Sequence, residues 1–326
     1  MVLVTGASGF VGGELVHQLV ANGEQVRIIV RKNSNINYLK NIISKIDVVE
    51  ADILDIMSLE EAFVGVEKIY HSAAIIAYNK KQYDAMYKTN IEGTSNVVNA
   101  ALSCGVKKIL YISSIAAFAA KPNTIVDEET KWEENEWNTA YGVTKQMAER
   151  QIFRGIEEGL EATIINPGII IGVGHDEQKS IMQLFKRIAK GKMPFYVPGR
   201  NGMIDVKDVV NISILLMNGA YNKERFIAIN ENIYFKDYFQ MIAKAVNKPA
   251  PKYKLPKIIA TIGYTMDAIL SFINPNRKRA YTKENAKVAM QDFFYNNQKL
   301  KQTLNYQFIP FENTIQEIVK KLPHEK

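Results

Sequence analysis

A glycine-rich turn at residues 5–12 restricts the fold of this chain more than any other segment, because it lies between two apolar patterns. Before it, Val2–Thr5 is a short apolar run of the kind that forms a buried strand. After it, apolar residues recur at helical spacing over Phe10–Ala21. The three glycines of the turn are Gly6, Gly9 and Gly12. Glycines at this spacing between a strand and a helix predict the first βαβ unit of a dinucleotide-binding domain.

Each glycine of this turn has a separate task in such a unit. The first permits the tight turn, the second lets a pyrophosphate approach the backbone, and the third lets the helix pack closely on the strand. The free N–H groups at the start of the helix, with a partial charge of about +0.5, favour phosphate. We therefore expect the cofactor phosphates to lie against Gly6, Ser8, Gly9, Phe10, Val11 and Gly12.

The end of the second predicted strand, Gln25–Val30, indicates which dinucleotide is bound. A carboxylate there would bind the ribose 2′-hydroxyl of NAD, whereas a basic residue suits the 2′-phosphate of NADP. The strand is followed by Arg31 and Lys32, with no carboxylate in reach. A guanidinium can bind phosphate through two parallel hydrogen bonds. The sequence therefore favours NADP(H), with NAD as the alternative. The less favoured explanation is that Arg31 and Lys32 are two exposed basic residues in a loop without a binding role.

Short β-branched runs alternate with helical patterns over residues 1–170, which predicts βαβ units and a parallel sheet covered on both faces. The predicted strands are Val2–Thr5, Gln25–Val30, Lys45–Ala51, Lys68–His71, Lys107–Ser113 and Ala162–Ile165. The predicted helices are Phe10–Ala21, Ser58–Val64, Gln82–Ser103 and Tyr141–Glu158. Ser58 followed by Glu61 predicts a capping box at the start of the second helix.

The regular alternation ends at Pro167, after which glycine and proline punctuate the chain and most later segments are helical. One further strand is predicted at Arg225–Asn230. We predict an α/β fold: a Rossmann-type doubly wound parallel sheet with a smaller, mostly helical C-terminal substrate-binding portion. The NAD(P)-binding domain would cover residues 1–166, and residues 167–326 would form the substrate-binding portion, with segments that return to the sheet.

Charge is unevenly distributed along the 326 residues, whose net charge is +7. From Lys236 onward there are 16 Lys and Arg against 7 Asp and Glu, a balance of +9, which leaves −2 for the preceding residues. A basic C-terminal third suits an anionic substrate, nucleic acid or a membrane surface, but solvated lysines explain it more simply. We therefore expect no nucleic-acid partner.

Cysteine and histidine content restricts the chemistry further. The single cysteine, Cys104, excludes an intramolecular disulfide and fits a cytoplasmic location. The four histidines are scattered without metal-ligand spacing, so we expect no metal site. No apolar run is long enough to predict a transmembrane span.

Candidate catalytic residues follow the fifth predicted strand, which ends in Ser113 and Ser114, at the sheet edge where parallel sheets bind ligands. A helix then begins with Tyr141, and Lys145 lies one turn later on the same face. A phenol is a poor acid–base catalyst at neutral pH, but a neighbouring ammonium stabilises the phenolate and lowers its pKa. The same spacing recurs at Tyr253 with Lys257 and at Tyr295 with Lys299. Neither of these follows a strand ending in serines, so context favours Tyr141 and Lys145.

On these motifs, residues 1–172 resemble the extended short-chain dehydrogenase/reductase superfamily, with Thr-Gly-x-x-Gly-x-x-Gly at 5–12 and Tyr-x-x-x-Lys at 141–145. Further matching segments are Asp52-Ile53, His71-Ser72-Ala73-Ala74, Thr89-Asn90-Ile91-Glu92-Gly93-Thr94 and Asn166-Pro167-Gly168. The second half matches less sharply, through Ile204–Val209 and Asn305-Tyr306, and is similar to the dihydroflavonol-reductase-like and epimerase/dehydratase-like branches.

The resemblance implies roles for individual residues. Ser114 would hydrogen-bond the reacting oxygen, with Ser113 as its less favoured substitute, while Tyr141 would donate or take the proton and Lys145 would bind the nicotinamide ribose. Further cofactor contacts are implied for Asp52 and Ile53 at the adenine, Ala73 and Ala74 at the ribose and nicotinamide side, Asn90 beside the cofactor, and Pro167 behind the nicotinamide ring.

The resemblance leaves three functions open, of which an NADP(H)-dependent carbonyl reductase or alcohol dehydrogenase is favoured. The dehydratases of the superfamily carry an Asp-Glu pair after the catalytic serine, where this chain has Ile115-Ala116-Ala117-Phe118. An epimerase with tightly bound NAD is the alternative, although Arg31 and the position of Arg200 depart from its pattern. A non-catalytic NADP-binding regulator is less favoured, because Tyr141 and Lys145 are both present.

The substrate is less well specified than the cofactor. Four aromatic residues lie in segments expected to border the nicotinamide end and would suit a hydrophobic carbonyl compound: Tyr78, Phe118, Phe195 and Tyr196. We expect the apolar segment Ile258–Ile273 to be a buried core helix, with a pocket lid or a membrane-surface helix as alternatives. The resemblance also implies a homodimer through the helices at residues 82–103 and 141–158.

Overall fold

The computed structural model describes residues 1–76, 82–174, 179–273 and 282–322. Its strands are β1 (Val2–Thr5), β2 (Val26–Val30), β3 (Ile46–Glu50), β4 (Lys68–His71), β5 (Lys108–Ile112), β6 (Ile125–Val126), β7 (Glu161–Pro167), β8 (Ile169–Ile171), β9 (Phe195–Tyr196), β10 (Arg200–Asp205), β11 (Glu224–Ala228), β12 (Glu231–Tyr234), β13 (Tyr253–Lys254) and β14 (Phe294–Tyr295). Seven of them form a parallel sheet in the order β11-β7-β5-β4-β1-β2-β3.

Helices flank this sheet and continue through the second half of the chain. They are α1 (Phe10–Ala21), α2 (Ile56–Phe63), α3 (Tyr83–Tyr87), α4 (Gly93–Ser103), α5 (Ala140–Glu157), α6 (Lys179–Ala189), α7 (Val206–Asn218), α8 (Phe235–Ala245), α9 (Lys257–Ile273), α10 (Lys283–Ala289), α11 (Gln298–Leu304) and α12 (Phe311–Lys320). A π-helical turn, Lys88–Glu92, joins α3 to α4, so the helix predicted over Gln82–Ser103 is one continuous helical segment of three parts.

The strand order places a topological switch point between β1 and β4. From β1 the chain builds outward through β2 and β3, then crosses back to β4 and continues through β5, β7 and β11 on the other side. Parallel sheets of this type bind their ligands in the crevice beyond the carboxyl ends of the strands at the switch point. The glycine-rich turn after β1 lies at this crevice. The structure thus confirms the predicted Rossmann-type fold.

Apolar side chains cover the sheet on both faces, as expected for parallel strands. On one face, α1 and α7 pack over residues such as Val4, Ile28 and Leu110. On the other, α2, α4 and α5 pack over residues such as Leu3 and Ile109. β5 is buried at all five positions, whereas β3, at the sheet edge, has none buried.

The second half of the chain has a separate hydrophobic cluster built from α6, α8, α12 and the three-stranded sheet β12-β10-β8. β11 leaves this region and pairs with β7, so a late segment does join the central sheet. The division into two portions at residues 166 and 167 stays a prediction, and it falls near the carboxyl end of β7, whose last residue is Pro167.

Two local predictions are wrong. The N-cap of α2 is Asp55, whose carboxylate accepts from the backbone N–H groups of Met57 and Ser58, so Ser58 lies inside the helix and forms no capping box. The segment 258–273, predicted as a buried core helix, lies in α9, and large apolar side chains in its first half face solvent: Ile258 is 73% and Ile262 is 54% exposed. Hydrophobic spacing indicates an amphipathic helix but does not indicate which of its faces meets the protein.

Candidate active site

The glycine-rich turn after β1 forms a tight backbone cradle. Gly6 has a φ of +71°, and a Cβ atom there would lie 2.7 Å from the backbone nitrogen of Ala73 in the loop after β4. A Cβ on Gly12 would lie 2.2 Å from the carbonyl oxygen of Gly6. The N-cap of α1 is Gly9, which has no side chain to occupy the first N–H groups, and the first turn holds no carboxylate. These features fit the pyrophosphate of a dinucleotide.

The loop after β4, residues 72–76, closes the crevice from the opposite side. Its Ser72 hydroxyl donates to the carbonyl of Thr5 at 2.7 Å, and the N–H of Ala73 donates to the Thr5 hydroxyl at 3.2 Å. Asn90 holds the same loop, because its side chain accepts from the N–H of Ile75 at 2.8 Å and donates to the Ile75 carbonyl at 3.0 Å. Ala73 and the exposed Ala74 therefore have fixed positions beside the glycine-rich turn.

Asn90 lies on the π-helical turn between α3 and α4, a distortion that is frequent at functional sites. Its side chain also donates to the hydroxyl of Thr144 on α5 at 2.9 Å, and the residue is only 1% exposed. Asn90 thus forms a clamp between the loop after β4 and the helix that carries Tyr141 and Lys145, and its place beside the cofactor stays a prediction.

The predicted adenine side has a more open structure. Arg31 and Lys32 are exposed directly after β2. The backbone turns there, because the N–H of Ser34 donates to the carbonyl of Arg31 and the N–H of Arg31 donates to the Ser34 hydroxyl. The carboxylate of Asp52 accepts from the N–H of Leu54, which holds the chain after β3 in an Asx turn. Ile53 is buried against Gly93 at the start of α4.

Lys145 is the most deeply buried charged group at the site, 1% exposed. Its Nζ atom donates to the hydroxyl of Tyr111 at 2.6 Å and to the carbonyl oxygen of Ile112 at 2.8 Å, both on β5. Burial lowers the pKa of Lys145 to about 7, and the carboxylate of Glu149 opposes that shift. Burial also raises the pKa of the Tyr111 phenol well above its usual range, so Tyr111 stays protonated beside the amine.

A buried polar chain runs from Lys145 to the glycine-rich turn through His71. Tyr111 stacks on the His71 ring, with ring centroids 5.3 Å apart. The imidazole lies between two hydroxyls, with Nδ1 2.7 Å from Thr5 Oγ1 and Nε2 3.0 Å from Thr94 Oγ1. Burial, with the nearby Lys145, lowers the pKa of His71 to about 3, so the ring is neutral.

The two serines after β5 have different environments. The Ser113 hydroxyl is buried and donates to Glu149 Oε1 at 2.5 Å. The Ser114 side chain is half-buried and accepts from the N–H of Ala116 at 3.1 Å, which leaves its own proton for another acceptor. The Asn166 side chain donates both to Glu149 Oε1 at 2.5 Å and to the carbonyl of Ser114 at 3.1 Å.

The start of α5, which carries Tyr141, packs closely against the turn that follows Ser114. Thr139 caps the helix by accepting from the N–H of Gly142 at 3.0 Å. A Cβ on Gly142 would lie 2.4 Å from the carbonyl oxygen of Ala116, two residues after Ser114. Only glycine permits this approach. The start of α5, which carries Tyr141 and Lys145, therefore packs against the turn after β5 that begins with Ser114, and the Lys145 amine reaches the last residue of β5.

Glu149 and Arg225 are functional candidates that the sequence reasoning missed. Glu149 is 2% exposed and lies one helical turn beyond Lys145 on the same face of α5. Burial raises its pKa, while hydrogen bonds from Ser113 and Asn166 and the charge of Arg225 oppose the shift. The Arg225 guanidinium is 3.5 Å from Glu149 and donates to the Glu128 carbonyl. Polar residues recur at one-turn spacing at positions 141, 145 and 149, and this spacing could have indicated Glu149 as a site residue. Arg225 had no such local signal, because β11 brings it to the site from far along the chain.

The predicted substrate residues do not form one group. Phe118 is 3% exposed and packs under the Arg225 guanidinium at 4.5 Å, so it belongs to the core and we leave it out of the candidate substrate contacts. Phe195 and Tyr196 are half-buried on β9, which pairs with β13. Tyr78 lies outside the described residues. Pro167, predicted behind the nicotinamide ring, is buried at the end of β7 beside Ala228.

A glycine-rich turn at the switch point, with the helix of Tyr141 and Lys145 packed against the turn after Ser114 two strands away, is typical of an enzyme of the NAD(P)-dependent short-chain dehydrogenase/reductase type. The model of the NAD dependent epimerase/dehydratase family matches residues 2–230, and the chain belongs to that family. The resemblance drawn from the motifs is thereby confirmed.

Relatives of this chain include several reductases. It is 28% identical to sterol demethylase protein B of Methylococcus capsulatus over 78% of this chain and 77% of that protein. It is 28% identical to a putative dihydroflavonol 4-reductase of Synechocystis over 92% of this chain and 88% of that protein. Its identity to cinnamoyl-CoA reductase 1 of Petunia hybrida is also 28%, over 99% and 92% of the two chains.

Solved structures share the fold over nearly the whole chain. The structure of gox2253 is 29% identical, with a TM-score of 0.83, over 98% of this chain and 97% of that one. A UDP-glucose 4-epimerase of Thermotoga maritima has a TM-score of 0.79 over 98% and 97% of the two chains. Its identity is 19%, so this likeness concerns the fold alone.

Proposed function

We propose that this enzyme is an NADP(H)-dependent oxidoreductase that reduces a carbonyl group or oxidises the corresponding alcohol. The observation that carries the proposal is the fixed Lys145 amine, held by Tyr111 and Ile112 one helical turn from Tyr141. The reductases among the relatives also support an oxidoreductase that acts on a carbonyl group. The loop residues Ile115–Phe118 contain no carboxylate of the kind that a dehydratase would need there.

The residues of the site have distinct tasks in this reaction. NADPH, held at the glycine-rich turn of residues 5–12, would supply the hydride for the carbonyl carbon. The Ser114 hydroxyl donates a hydrogen bond to the carbonyl oxygen, and Tyr141 gives that oxygen its proton. Lys145, when protonated, stabilises the Tyr141 phenolate that remains, and the phenolate regains a proton from solvent before the next turnover. A placed proton donor of this kind contributes about 10²–10⁴-fold to the rate.

The cofactor preference is part of this proposal. Arg31 and Lys32, exposed after β2, are the residues that would bind the 2′-phosphate of NADP(H). Phe195 and Tyr196 remain candidate substrate contacts, and a hydrophobic carbonyl compound remains the substrate class that they fit. We also propose that the enzyme is cytoplasmic. We further propose that it forms a homodimer through α4 and α5, because the apolar side chains of Val143 and Phe153 on α5 are 37% and 36% exposed.

The first experiment identifies any nucleotide that the purified protein releases on denaturation. An empty protein, or one releasing NADP, supports a reductase that exchanges its cofactor at each turnover. Near-stoichiometric NAD supports the alternative, an epimerase that recycles a resident cofactor, and contradicts the role given to Arg31.

The second experiment follows NADPH oxidation with a panel of apolar aldehydes and ketones. We expect Tyr141→Phe to abolish turnover while NADPH binding, measured by fluorescence titration, stays within about twofold. Tyr234→Phe is the matched control, since Tyr234 lies on β12 in the second half of the chain and is 37% exposed. Turnover of Tyr141→Phe above about one tenth of the starting rate would remove Tyr141 from its assigned role.

A further inference from the structure

The helix α9 presents its apolar residues to solvent. Ile258, Ile259, Ile262 and Met266 are 73%, 39%, 54% and 56% exposed. At 100° per residue these four positions lie within a sector of about 100°, which is the width of the stripe that a helix normally buries. We call these four residues the α9 apolar face.

The opposite side of α9 meets the protein. Ala260 and Tyr264 are half-buried and Asp267 is 4% exposed, and these positions follow the i, i+4, i+7 spacing of one helix face. The helix therefore turns its single carboxylate inward and Ile258, Ile259 and Ile262 outward, the reverse of the usual arrangement in a protein surrounded by water. Such an inverted arrangement indicates that the outer face meets a second apolar phase.

The polar groups at the border of the α9 apolar face are satisfied within the helix. Thr261 donates its hydroxyl to the carbonyl of Lys257 at 3.0 Å, and Thr265 donates to the carbonyl of Thr261 at 2.8 Å. Because these hydroxyl protons are already bonded, placing this side of α9 in an apolar environment leaves no threonine donor unsatisfied.

Positive charge adjoins the α9 apolar face. Lys252, Lys254 and Lys257 are exposed on β13 and at the start of α9, and residues 252–266 contain no Asp or Glu. Tyr253, between two of these lysines, is 58% exposed, and tyrosine is enriched where an apolar phase meets water. An apolar stripe bordered by lysines and a tyrosine has the composition of a helix that lies in the interface of an anionic bilayer.

We propose that α9 binds the surface of a membrane containing anionic lipids, with the α9 apolar face in the acyl boundary and Lys252, Lys254 and Lys257 against the headgroups. The helix lies on the bilayer rather than through it, since no helix within the described ranges is long and apolar enough to cross a membrane. A protein partner or a second copy would need a complementary acidic and apolar surface. The inference does not depend on the reductase activity.

Flotation of the full chain with vesicles tests this binding. We expect it to float with phosphatidylcholine vesicles containing about 30% phosphatidylglycerol at about 0.1 M salt, and to float at least about tenfold less with phosphatidylcholine alone. Raising the salt to about 0.5 M should release it. Failure to float with the anionic vesicles, or equal flotation with both kinds, would overturn the proposal.

Variants assign the binding to α9. Replacing Ile258, Ile262 and Met266 together with glutamine should abolish flotation, whereas glutamines at Met57, Val64 and Ile125, which are similarly exposed elsewhere, should leave it unchanged. The triple change Lys252→Glu, Lys254→Glu and Lys257→Glu should weaken binding by about fivefold per lysine or more.

Two outcomes contradict the assignment to a membrane. The first is flotation of the α9 glutamine variant as efficient as that of the unchanged chain. The second is a larger solution mass for the unchanged chain than for that variant, measured by light scattering without vesicles. The second result would mean that another copy of the chain covers the α9 apolar face.

Discussion

Replacing Gly142 with alanine should move Tyr141, the proposed proton donor, away from Ser114. The added Cβ would lie 2.4 Å from the backbone oxygen of Ala116, whereas ordinary contacts begin at 3.4 Å. The start of α5 and the turn after Ser114 must therefore move apart by about 1 Å. Misplacement by 1 Å of groups that act together costs about 10²-fold in rate, which is about 2.7 kcal/mol of transition-state stabilisation.

Gly155→Ala is the matched control, because it makes the same change in the same helix, and its Cβ meets the Val98 side chain at 2.6 Å rather than backbone. In both variants the higher helix propensity of alanine, worth about 1 kcal/mol, offsets part of the steric cost of the added Cβ. The assay is kcat/KM for NADPH-dependent reduction of the carbonyl identified in the screen, together with the midpoint of urea unfolding. Gly142→Ala should lose about 10²-fold and Gly155→Ala less than about threefold. A folded Gly142→Ala that keeps more than one third of kcat/KM would refute the placement of Tyr141 against Ser114.

Three further predictions concern charge. His71 is neutral in the fold with a pKa of about 3, against about 6.5 when unfolded, so the unfolded chain takes up a proton as the pH falls below 6.5. Between pH 7 and pH 5 the unfolding free energy should therefore fall by about 2 kcal/mol more than in His71→Gln, measured by urea titration; equal losses would contradict the buried neutral ring. Glu149→Gln should lower stability by about 2–3 kcal/mol, since Arg225 loses its carboxylate, whereas the exposed Glu157→Gln should change it by less than about 0.5 kcal/mol. Arg31→Glu should shift the ratio of kcat/KM for NADPH to that for NADH by about 10–100-fold toward NADH, and an unchanged ratio would exclude Arg31 from 2′-phosphate binding.

The first half of the fold could be predicted because its signals are local. Val2–Thr5 and Lys68–His71 are short segments with apolar residues at their centres, and their predicted bounds agree with β1 and β4. The switch point follows from the parallel order that such runs imply. The glycine-rich turn was predictable for the same reason, since its spacing specifies both the flanking elements and the ligand.

The parts that could not be predicted depend on contacts between distant segments. Phe118 is an aromatic residue near the serines, but Arg225 on β11 covers it, and no local pattern indicates that pairing. The orientation of α9 was equally inaccessible, because Asp267 and Ile258 define an amphipathic helix whichever side meets the protein. The clamp formed by Asn90 required the π-helical turn, which a helical pattern does not distinguish from regular helix.

The choice between the two serines depends on Glu149. Both Ser113 and Ser114 follow β5, and a hydroxyl can donate only one proton. Ser113 gives its proton to the buried Glu149 carboxylate, which Asn166 and Arg225 hold in place. Ser114 accepts from the backbone N–H of Ala116, so in the proposed reaction its own proton is available to the reacting oxygen. The Glu149 carboxylate thus accepts the proton of Ser113. It also holds Asn166, whose side chain donates to the Ser114 carbonyl and so positions Ser114. Loss of Glu149 should therefore impair the proposed role of Ser114 as well as the stability of the fold.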